Sequence, residues 1–334
     1  MIDDDRATNP VVSGAERARD LATSAKVVRI CGHSVPDGDV LGSQVALAWW
    51  FHERGCDVRI VNPDLPARRF DFLSPPVPFE AFDADRESPF EGADLTVLVD
   101  LNTLARVGPM ESAIDSASAS TLVFDHHQPS CEAWWSEAVI DTSAAATGFV
   151  VHRWLGSLDA ELRPEMATGL FTSIATDTGW FRHPGTSAEV MDVTAELVRS
   201  GANPSAIHRA LFGRRPAERH RSLADHLSRA ELLDGGKIAV LCVPLDVNDV
   251  DDASESALDV LRSIESVQVA VLLRELDGGR TRLSLRSVGG LDVHAVAASL
   301  GGGGHRNAAG AVVELPLSAA REAVVGALMG EQAA

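Results

Sequence analysis

Short apolar runs alternate with helix-like stretches along the first half of the chain. The runs are rich in β-branched residues and occupy residues 26–32, 56–62, 95–100 and 120–125. Nearly continuous apolar runs of this length are typical of buried parallel strands. Between the first two runs, residues 40–54 carry apolar side chains at helical spacing. This alternation predicts an α/β fold, with a parallel sheet that has helices on both faces.

After these runs, the pattern of the chain changes twice. From residue 143 to residue 231 the pattern is almost wholly helical, with 3.6-residue spacing interrupted by prolines and glycines. Strands return in KIAVLCV, SVQVAVLLREL and RTRLSLRS, and a final strand and helix close the chain. The pattern predicts four segments: a loose lead-in over 1–24, an N-terminal catalytic domain over 25–190, a helical connector over 191–233 and a smaller C-terminal α/β domain over 234–334.

Composition narrows the possible classes of protein. No apolar run approaches the roughly 20 residues of a membrane helix, and the acidic start MIDDDRATNP is unlike a secretory signal. Four scattered cysteines predict a reduced, cytoplasmic protein without a disulfide framework. The net charge of −19 argues against binding to long duplex nucleic acid, which requires a basic stripe. An anionic substrate must therefore meet local cations or bound metal.

The stretch CGHSVPDGDVLGS follows the first predicted strand and carries His33, Asp37 and Asp39 within seven residues. In an open parallel sheet, functional groups gather at the carboxyl ends of the strands. Gly38 permits a tight turn that directs both carboxylates to one point. The alternative interpretation of Asp39 is a cap for the helix that follows.

Further acids and histidines stand at equivalent places. Asp100 ends one strand, Asp125 ends another and is followed by His126 and His127, and Asp177 ends an apolar helical stretch. Taken singly, each aspartate is an ordinary cap or turn residue, but together they form a mixed set of carboxylates and imidazoles. Such a set favours Mn²⁺ or a similar ion over structural zinc. It is large enough for two ions, which suits phosphoryl hydrolysis.

The adjacent histidines require a separate explanation. Successive side chains of a strand point to opposite faces. We therefore expect His126 to turn toward a metal while His127 reaches toward the substrate.

A glycine run in the second half is the remaining chemical motif. In GGGGHRNAAG, residues 301–310, glycines precede His305 and Arg306, and Arg286 ends a nearby strand. A flexible hairpin loop is the ordinary explanation of such a run. In this chain, however, a histidine and an arginine follow the glycines. Backbone amides in a glycine-rich concavity, together with these two side chains, are well suited to bind a phosphate.

Five motifs in order carry a family resemblance: HSVPDGD, VDLNTLARVG, DHH, ATDTGWF and GGGGHRNAAG. The chain resembles the DHH phosphoesterase superfamily with its DHH-associated C-terminal domain, over roughly residues 25–330. More narrowly, it is similar to the short NrnA-type bifunctional oligoribonucleases and PAP (3′-phosphoadenosine 5′-phosphate) phosphatases, and to related cyclic-di-AMP and pApA phosphodiesterases. The resemblance implies an active site in the cleft between the two domains, and a homodimer.

The resemblance also implies roles for individual residues. It implies two Mn²⁺ ions per chain, replaceable by Mg²⁺ or Co²⁺, with His33 and Asp37 on one ion, Asp39, His126 and Asp177 on the other, and Asp100 bridging them. Asp125 would orient a histidine, and His127 would act as general acid or phosphate contact. The implied substrate clamp comprises Arg286, Gly302, Gly303, Gly304, His305 and Arg306.

The expected reaction is hydrolysis of short nucleotides to 5′-mononucleotides. The candidate substrates are linear dinucleotides such as pApA, very short RNA, cyclic di-AMP and PAP. The chain departs from the family pattern at IDTSAAATG, residues 140–148, where only Ser143 and Thr147 remain of a serine- and threonine-rich turn. Weaker support of the metal site is expected if that turn contributes to it.

Four alternatives remain open. A RecJ-like exonuclease needs a cationic track with stacking aromatics, and a chain with a net charge of −19 and 5% aromatic residues offers little of either. A non-catalytic nucleotide sensor predicts lost ligands, whereas every expected ligand is present. A family II pyrophosphatase lacks the glycine-histidine loop. An unrelated metal-binding α/β protein does not explain that loop.

Overall fold

The computed structural model describes residues 12–129, 132–213 and 215–331. These residues form two compact units, which divide between Gly213 and Arg214. Each unit is built on its own six-stranded sheet. The α/β class predicted from the apolar pattern is confirmed.

The first unit contains a wholly parallel sheet. Its strands are β1 Val27–Cys31, β2 Asp57–Asn62, β3 Phe79–Ala81, β4 Leu95–Val99, β5 Ser120–Asp125 and β6 Glu137–Ile140. They are arranged in the order β3-β2-β1-β4-β5-β6. The order reverses between β1 and β4, and ligands of open α/β sheets bind beyond the carboxyl ends of the strands at such a reversal.

Helices cover the two faces of this sheet unequally. The helices are α1 Val12–Ser24, α2 Gly38–Glu53, α3 Glu111–Asp115, α4 Thr147–Gly156, α5 Pro164–Asp177, α6 Ala188–Arg199 and α7 Pro204–Phe212. All except α3 contribute to one large apolar core, whereas α3 and the neighbouring loops cover the other face. The predicted helices on both faces are therefore present, with most of them on one side.

The second unit contains a mixed sheet. Its strands are β7 Glu231–Leu233, β8 Ile238–Val243, β9 Val269–Leu276, β10 Arg280–Ser287, β11 Gly303–His305 and β12 Ala308–Val313. They are arranged in the order β11-β12-β10-β9-β8-β7, and β8 and β9 form the parallel pair. The helices of this unit are α8 Ala217–Arg229, α9 Ala253–Arg262, α10 Val293–Ser299 and α11 Leu317–Glu331.

The unit boundary differs from the predicted segments. The predicted connector, 191–233, is divided, because α6 and α7 bury Leu197 and Ile207 in the first core while α8 packs Leu223 against the second. An amphipathic pattern shows that a helix buries one face, but it does not show which sheet receives that face.

The predicted lead-in over 1–24 also differs. Residues 1–11 lie outside the described residues, whereas Val12–Ser24 form α1, which buries Ala18 and Ala22 in the first core. Small apolar residues four positions apart carry this contact, and so weak an apolar signal is easily missed in a charged segment. Within the described part of the chain, no helix combines the length and apolarity needed to cross a membrane.

Candidate active site

Four segments of the first unit converge at the carboxyl ends of β1, β4 and β5. They are the β1–α2 loop with the first turn of α2, the residues just after β4, the residues just after β5, and the last turn of α5. Between them they bring together all six residues predicted as metal ligands: His33, Asp37, Asp39, Asp100, His126 and Asp177.

The β1–α2 loop supplies His33 and Asp37. The Nε2 atom of His33 lies 3.2 Å from Oδ2 of Asp100, and its Nδ1 atom lies 2.8 Å from the carbonyl oxygen of Ser34. Asp37 caps α2, because its Oδ1 atom accepts hydrogen bonds from the backbone N–H groups of Asp39 and Val40. The capping role considered for Asp39 therefore belongs to Asp37.

Gly38 has a different function from the tight turn inferred for it. It is the first residue of α2, and a Cβ atom there would lie 2.4 Å from Oγ1 of Thr176. The missing side chain lets the start of α2 approach the end of α5. This contact brings the carboxylates of the two helices together.

Asp39 is buried, and its carboxylate meets neutral donors. It accepts hydrogen bonds from the backbone N–H groups of Thr147 and Gly148 at 2.8 and 3.0 Å, and from the hydroxyl of Ser173. Thr147 and Gly148 begin α4, whose preceding residue, Ala146, has no capping side chain. Asp39 thus acts as the cap of α4 from a distant part of the sequence, in the position where a helix dipole favours a carboxylate.

Asp100 adopts an uncommon backbone conformation at the centre of the cluster. Its φ is 62°, a left-handed value that few non-glycine residues adopt. Its N–H donates to the carbonyl oxygen of Phe124, and its own carbonyl oxygen accepts from Nη1 of Arg106 at 3.0 Å. The carboxylate then bonds to Thr147 through Oδ1 and to His33 through Oδ2. Asp100 is therefore fixed from both its backbone and its side chain.

Asp125 organises the two histidines that follow it. Its Oδ1 atom accepts from the N–H groups of His126 and His127 and lies 2.8 Å from Nδ1 of His127, while Oδ2 accepts from the amide of Asn102. Burial favours the protonated form of Asp125, but the hydrogen bonds and charge of His127 outweigh it and lower the pKa. Asp125 therefore stays ionised and holds both residues.

The histidines do not follow strand alternation. β5 ends at Asp125, so His126 and His127 lie beyond the strand, and their ring centroids are 4.6 Å apart. The Nε2 atom of His126 lies 3.6–3.8 Å from carboxylate oxygens of Asp39, Asp100 and Asp177. The Nδ1 atom of His127 lies 3.5 Å from Oδ1 of Asp100. Both rings therefore approach the same carboxylates, and the explanation from opposite strand faces is wrong.

Crowded carboxylates shift the proton affinities of the site. Burial raises the pKa of Asp177 to about 9, and the charges of Asp39 and Asp100 act in the same direction. Burial, followed by the charge of Asp100, also raises the pKa of Asp39. For His33 and His126, burial lowers the pKa, but the neighbouring acids outweigh it and the net pKa rises. The site therefore carries more negative charge than its own side chains balance.

A pair of divalent cations fits this arrangement. Three triads each present ligand atoms that lie within 4.8 Å of one another: His33, Asp37 and Asp100; Asp39, His126 and Asp177; and Asp100, His126 and His127. The first two triads contain the predicted ligands of the two ions, and Asp100 lies 3.7 Å from His126 of the second. Oxygen and imidazole ligands suit Mn²⁺, and cations would offset the excess negative charge.

Several polar residues that support this cluster were not predicted from the sequence. Asn102 bonds to Asp125, Ser173 bonds to Asp39, and Arg106 bonds to the backbone of Asp100. Asn102 and Arg106 lie within the motif VDLNTLARVG, so their position after a strand end was the available signal. Ser173 lies in the apolar helix α5 and carried no such signal.

Thr147 shows whether the turn at residues 140–148, which departs from the family pattern, still supports the metal ligands. It bonds to both Asp39 and Asp100, whereas Ser143 bonds to Asp141 in the same turn. The turn therefore still supports the cluster through Thr147.

The predicted substrate clamp lies in the second unit. Arg286, Gly302, Gly303 and Gly304 line one concavity of about 500 Å³. Arg306 is exposed and donates to the carbonyl oxygen of Gly290.

The glycine run itself is more ordered than a flexible loop. Gly303 and Gly304 belong to β11, and the N–H of Gly302 donates to the carbonyl oxygen of Ala297 at the end of α10. The amide of Gly302 is therefore already engaged. Its missing side chain matters instead, because a Cβ atom there would lie 2.1 Å from the carbonyl oxygen of Gly310.

Comparison with known proteins agrees with this architecture. Residues 27–174 match the N-terminal domain of the DHH family, and residues 235–328 match the DHHA1 domain. The chain is 33% identical over 323 residues to the bifunctional oligoribonuclease and PAP phosphatase NrnA of Thermus thermophilus, covering 95% of this chain and 94% of that protein.

Solved structures share the fold. The crystal structure of an exopolyphosphatase-related protein from Bacteroides fragilis superposes with a TM-score of 0.87 at 23% identity, covering 95% of this chain and 96% of that one. RecJ of Thermus thermophilus in complex with Mn²⁺ gives a TM-score of 0.53 at 15% identity, covering 96% of this chain and 54% of RecJ. The two family domains, in order, and the full-length similarity to a curated relative show that the chain belongs to the DHH family of phosphoesterases, in the form that carries a DHHA1 domain after the DHH domain.

Proposed function

We propose that this chain is a Mn²⁺-dependent phosphoesterase that hydrolyses short nucleotides to 5′-mononucleotides. One observation carries the proposal: two triads of ligand atoms, His33, Asp37 and Asp100 on one side and Asp39, His126 and Asp177 on the other, meet at the point where the strand order reverses. Two divalent cations bound there would supply a water nucleophile of lowered pKa and would offset charge on the phosphoryl oxygens.

The protein's own residues then bind, orient and transfer protons. Asp125 fixes the Nδ1 side of the His127 ring. We assign proton transfer to the departing ribose oxygen to the Nε2 atom of His127, as a general acid. Asn102 holds Asp125 from the opposite side at 2.6 Å, so the ring keeps its orientation through the reaction.

The substrate class follows from size and charge. The relative from Thermus thermophilus is named for action on oligoribonucleotides and PAP, which supports pApA, very short RNA and PAP as substrates, with cyclic di-AMP as a further candidate. A net charge of −19 opposes binding of a long polyanion. A short nucleotide needs only a few local cations, and Arg286 in the second unit is one of them.

The proposal is tested with purified protein, Mn²⁺ and pApA, and with the variant Asp100→Asn. We expect AMP as the product of the wild type. The variant should lose activity by about 100-fold or more, since Asp100 belongs to the first triad and lies 3.7 Å from His126 of the second. Asp141→Asn is the matched control, because Asp141 is also buried but bonds to Ser143 and Arg153.

Two results would contradict the proposal. Intact pApA after prolonged incubation of the wild type with Mn²⁺ would show that the chain is not this enzyme. Near wild-type activity of Asp100→Asn would show that the chemistry takes place elsewhere.

A further inference from the structure

A second arginine shares the concavity with Arg286. Arg282, Ser284 and Arg286 alternate along β10 and therefore lie on the same face of its sheet. Both arginines line the concavity of about 500 Å³ described above. Arg282 was not among the residues predicted from the sequence to contact the substrate.

Small residues form the floor beside the two arginines, and between them Ser284 donates a hydrogen bond to Glu255. Across the sheet, Ser284 is in register with Gly310, which is in turn in register with Gly303. Larger residues flank this row, with Ala308 opposite Arg286 and Val312 opposite Arg282. A sheet surface of this kind lets a ligand approach the backbone closely. The arginines then define the two ends of the space.

Acidic neighbours do not neutralise these arginines. In the described part of the chain, neither Arg282 nor Arg286 forms an ion pair, and Arg286 donates only to the carbonyl oxygen of Leu285. Arg274, in register with Arg282 on β9, forms ion pairs with two of the three nearby acids, Asp249 at 2.7 Å and Asp252 at 3.2 Å. Glu255 bonds instead to Ser284. Both guanidinium groups therefore keep their charge for a ligand.

We infer that Arg282 binds the 5′-terminal phosphate of a linear dinucleotide whose scissile phosphate meets Arg286. Four residues of an extended strand separate their Cα atoms by about 13 Å, and two long side chains can turn inward from that separation onto phosphates at either end of one nucleoside. The inference rests on the proposed function. It adds a specificity: a terminal phosphate, absent from cyclic dinucleotides and from unphosphorylated ApA, is recognised separately.

The test pairs one substitution with one change of substrate. Arg282→Gln should raise KM for pApA by about 10- to 100-fold, the usual effect of losing a hydrogen bond between charged groups. It should leave KM for ApA unchanged, because ApA has no terminal phosphate. Arg280→Gln is the matched control: Arg280 is on the same strand but outside the concavity, where it bonds to the carbonyl oxygen of Asp277.

A binding measurement separates this inference from the proposed function. Calorimetry of the full-length, Mn²⁺-loaded protein with a pApA analogue whose linking phosphate is a non-hydrolysable phosphonate requires no turnover, and Arg282→Gln should weaken binding of this analogue by the same factor. That loss would support the inference even if the wild type failed to hydrolyse pApA. Equal effects on pApA and ApA, no effect on either, or a wild type that neither binds nor cleaves pApA would overturn it.

Discussion

Among the described residues, backbone N–H and hydroxyl groups, rather than lysine or arginine side chains, hold the carboxylates of Asp39 and Asp100. Asp39 bonds to two backbone N–H groups and the Ser173 hydroxyl, and Asp100 bonds to the hydroxyl of Thr147. Such donors fix a carboxylate in place without cancelling its charge, so the charge remains available to bound cations. Thr147 is the residue that joins the two carboxylates, because its N–H donates to one and its hydroxyl to the other.

Replacing Thr147 with valine therefore tests the support of the metal site. Thr147→Val keeps the shape and the backbone N–H but removes the donor to Asp100. We expect Mn²⁺ affinity and kcat/KM to fall by roughly 10-fold or more, as is usual when an outer hydrogen bond to a ligand is lost. Titration calorimetry and steady-state kinetics measure the two effects.

Thr147→Ser is the control for this substitution, because it restores the hydroxyl while removing only a methyl group. It should retain most of the affinity and activity. Equal losses in the valine and serine variants would show that any change to this fully buried side chain disturbs the site, and would contradict a specific role of the hydroxyl.

At the scale of elements, the approach of α2 to α5 positions the site. Gly42 and Gly169 face each other, and a Cβ atom on Gly42 would lie 2.1 Å from the carbonyl oxygen of Gly169. Two helices can come this close only where side chains are missing. The same approach places Asp39 against Ser173 and brings the end of α5 to Asp39.

Gly42→Ala should separate these helices. Because the obstacle is a backbone carbonyl, we expect a loss of about 1–3 kcal/mol in the free energy of unfolding, typical of an overpacked core, together with weaker Mn²⁺ binding. All six tryptophans lie between residues 49 and 180, so tryptophan fluorescence in urea follows the first unit alone.

Gly156→Ala provides the comparison within the same unit. Gly156 ends α4 and is exposed, with open space where a Cβ atom would lie. Alanine there should leave stability unchanged or raise it by up to about 1 kcal/mol. If both glycine variants unfold at the same urea concentration, close helix packing does not limit the stability of this unit.

The apolar pattern predicted the central elements well and the edges poorly. β1, β2, β4 and β5 are nearly continuous apolar runs, whereas β3 and β6 are three- and four-residue edge strands with half-exposed side chains. β7 and β11 have three residues each. They are strands because their backbones pair with a neighbouring strand, and their residue types do not indicate a strand. His33, Asp100 and Asp125 could be predicted from the sequence to lie close together, because each lies at the carboxyl end of a parallel strand. Ser173 could not, because only the crossing of α2 and α5 brings it to Asp39.

At the scale of the whole molecule, the unbalanced charge of the site should appear in stability. The raised pKa values of Asp39, Asp177, His33 and His126 mean that the folded, metal-free protein binds protons more tightly than the unfolded chain does. The free energy of unfolding of the metal-free protein therefore falls as the pH rises from the ordinary pKa values of these groups toward their raised values. The lowered pKa of His152 acts in the opposite sense, but only near and below its ordinary value of about 6.5.

We accordingly expect the fluorescence-detected Tm of the metal-free protein to fall by a few degrees between pH 7 and pH 9. Mn²⁺ should reverse this dependence, because it binds the deprotonated ligands and stabilises only the folded state. The Tm increase on adding Mn²⁺ should thus be larger at pH 8.5 than at pH 7. Asp177→Asn, which cannot ionise, should flatten the metal-free profile. A metal-free Tm that rises with pH, or a Mn²⁺ effect independent of pH, would contradict the assignment of a shared proton and metal site.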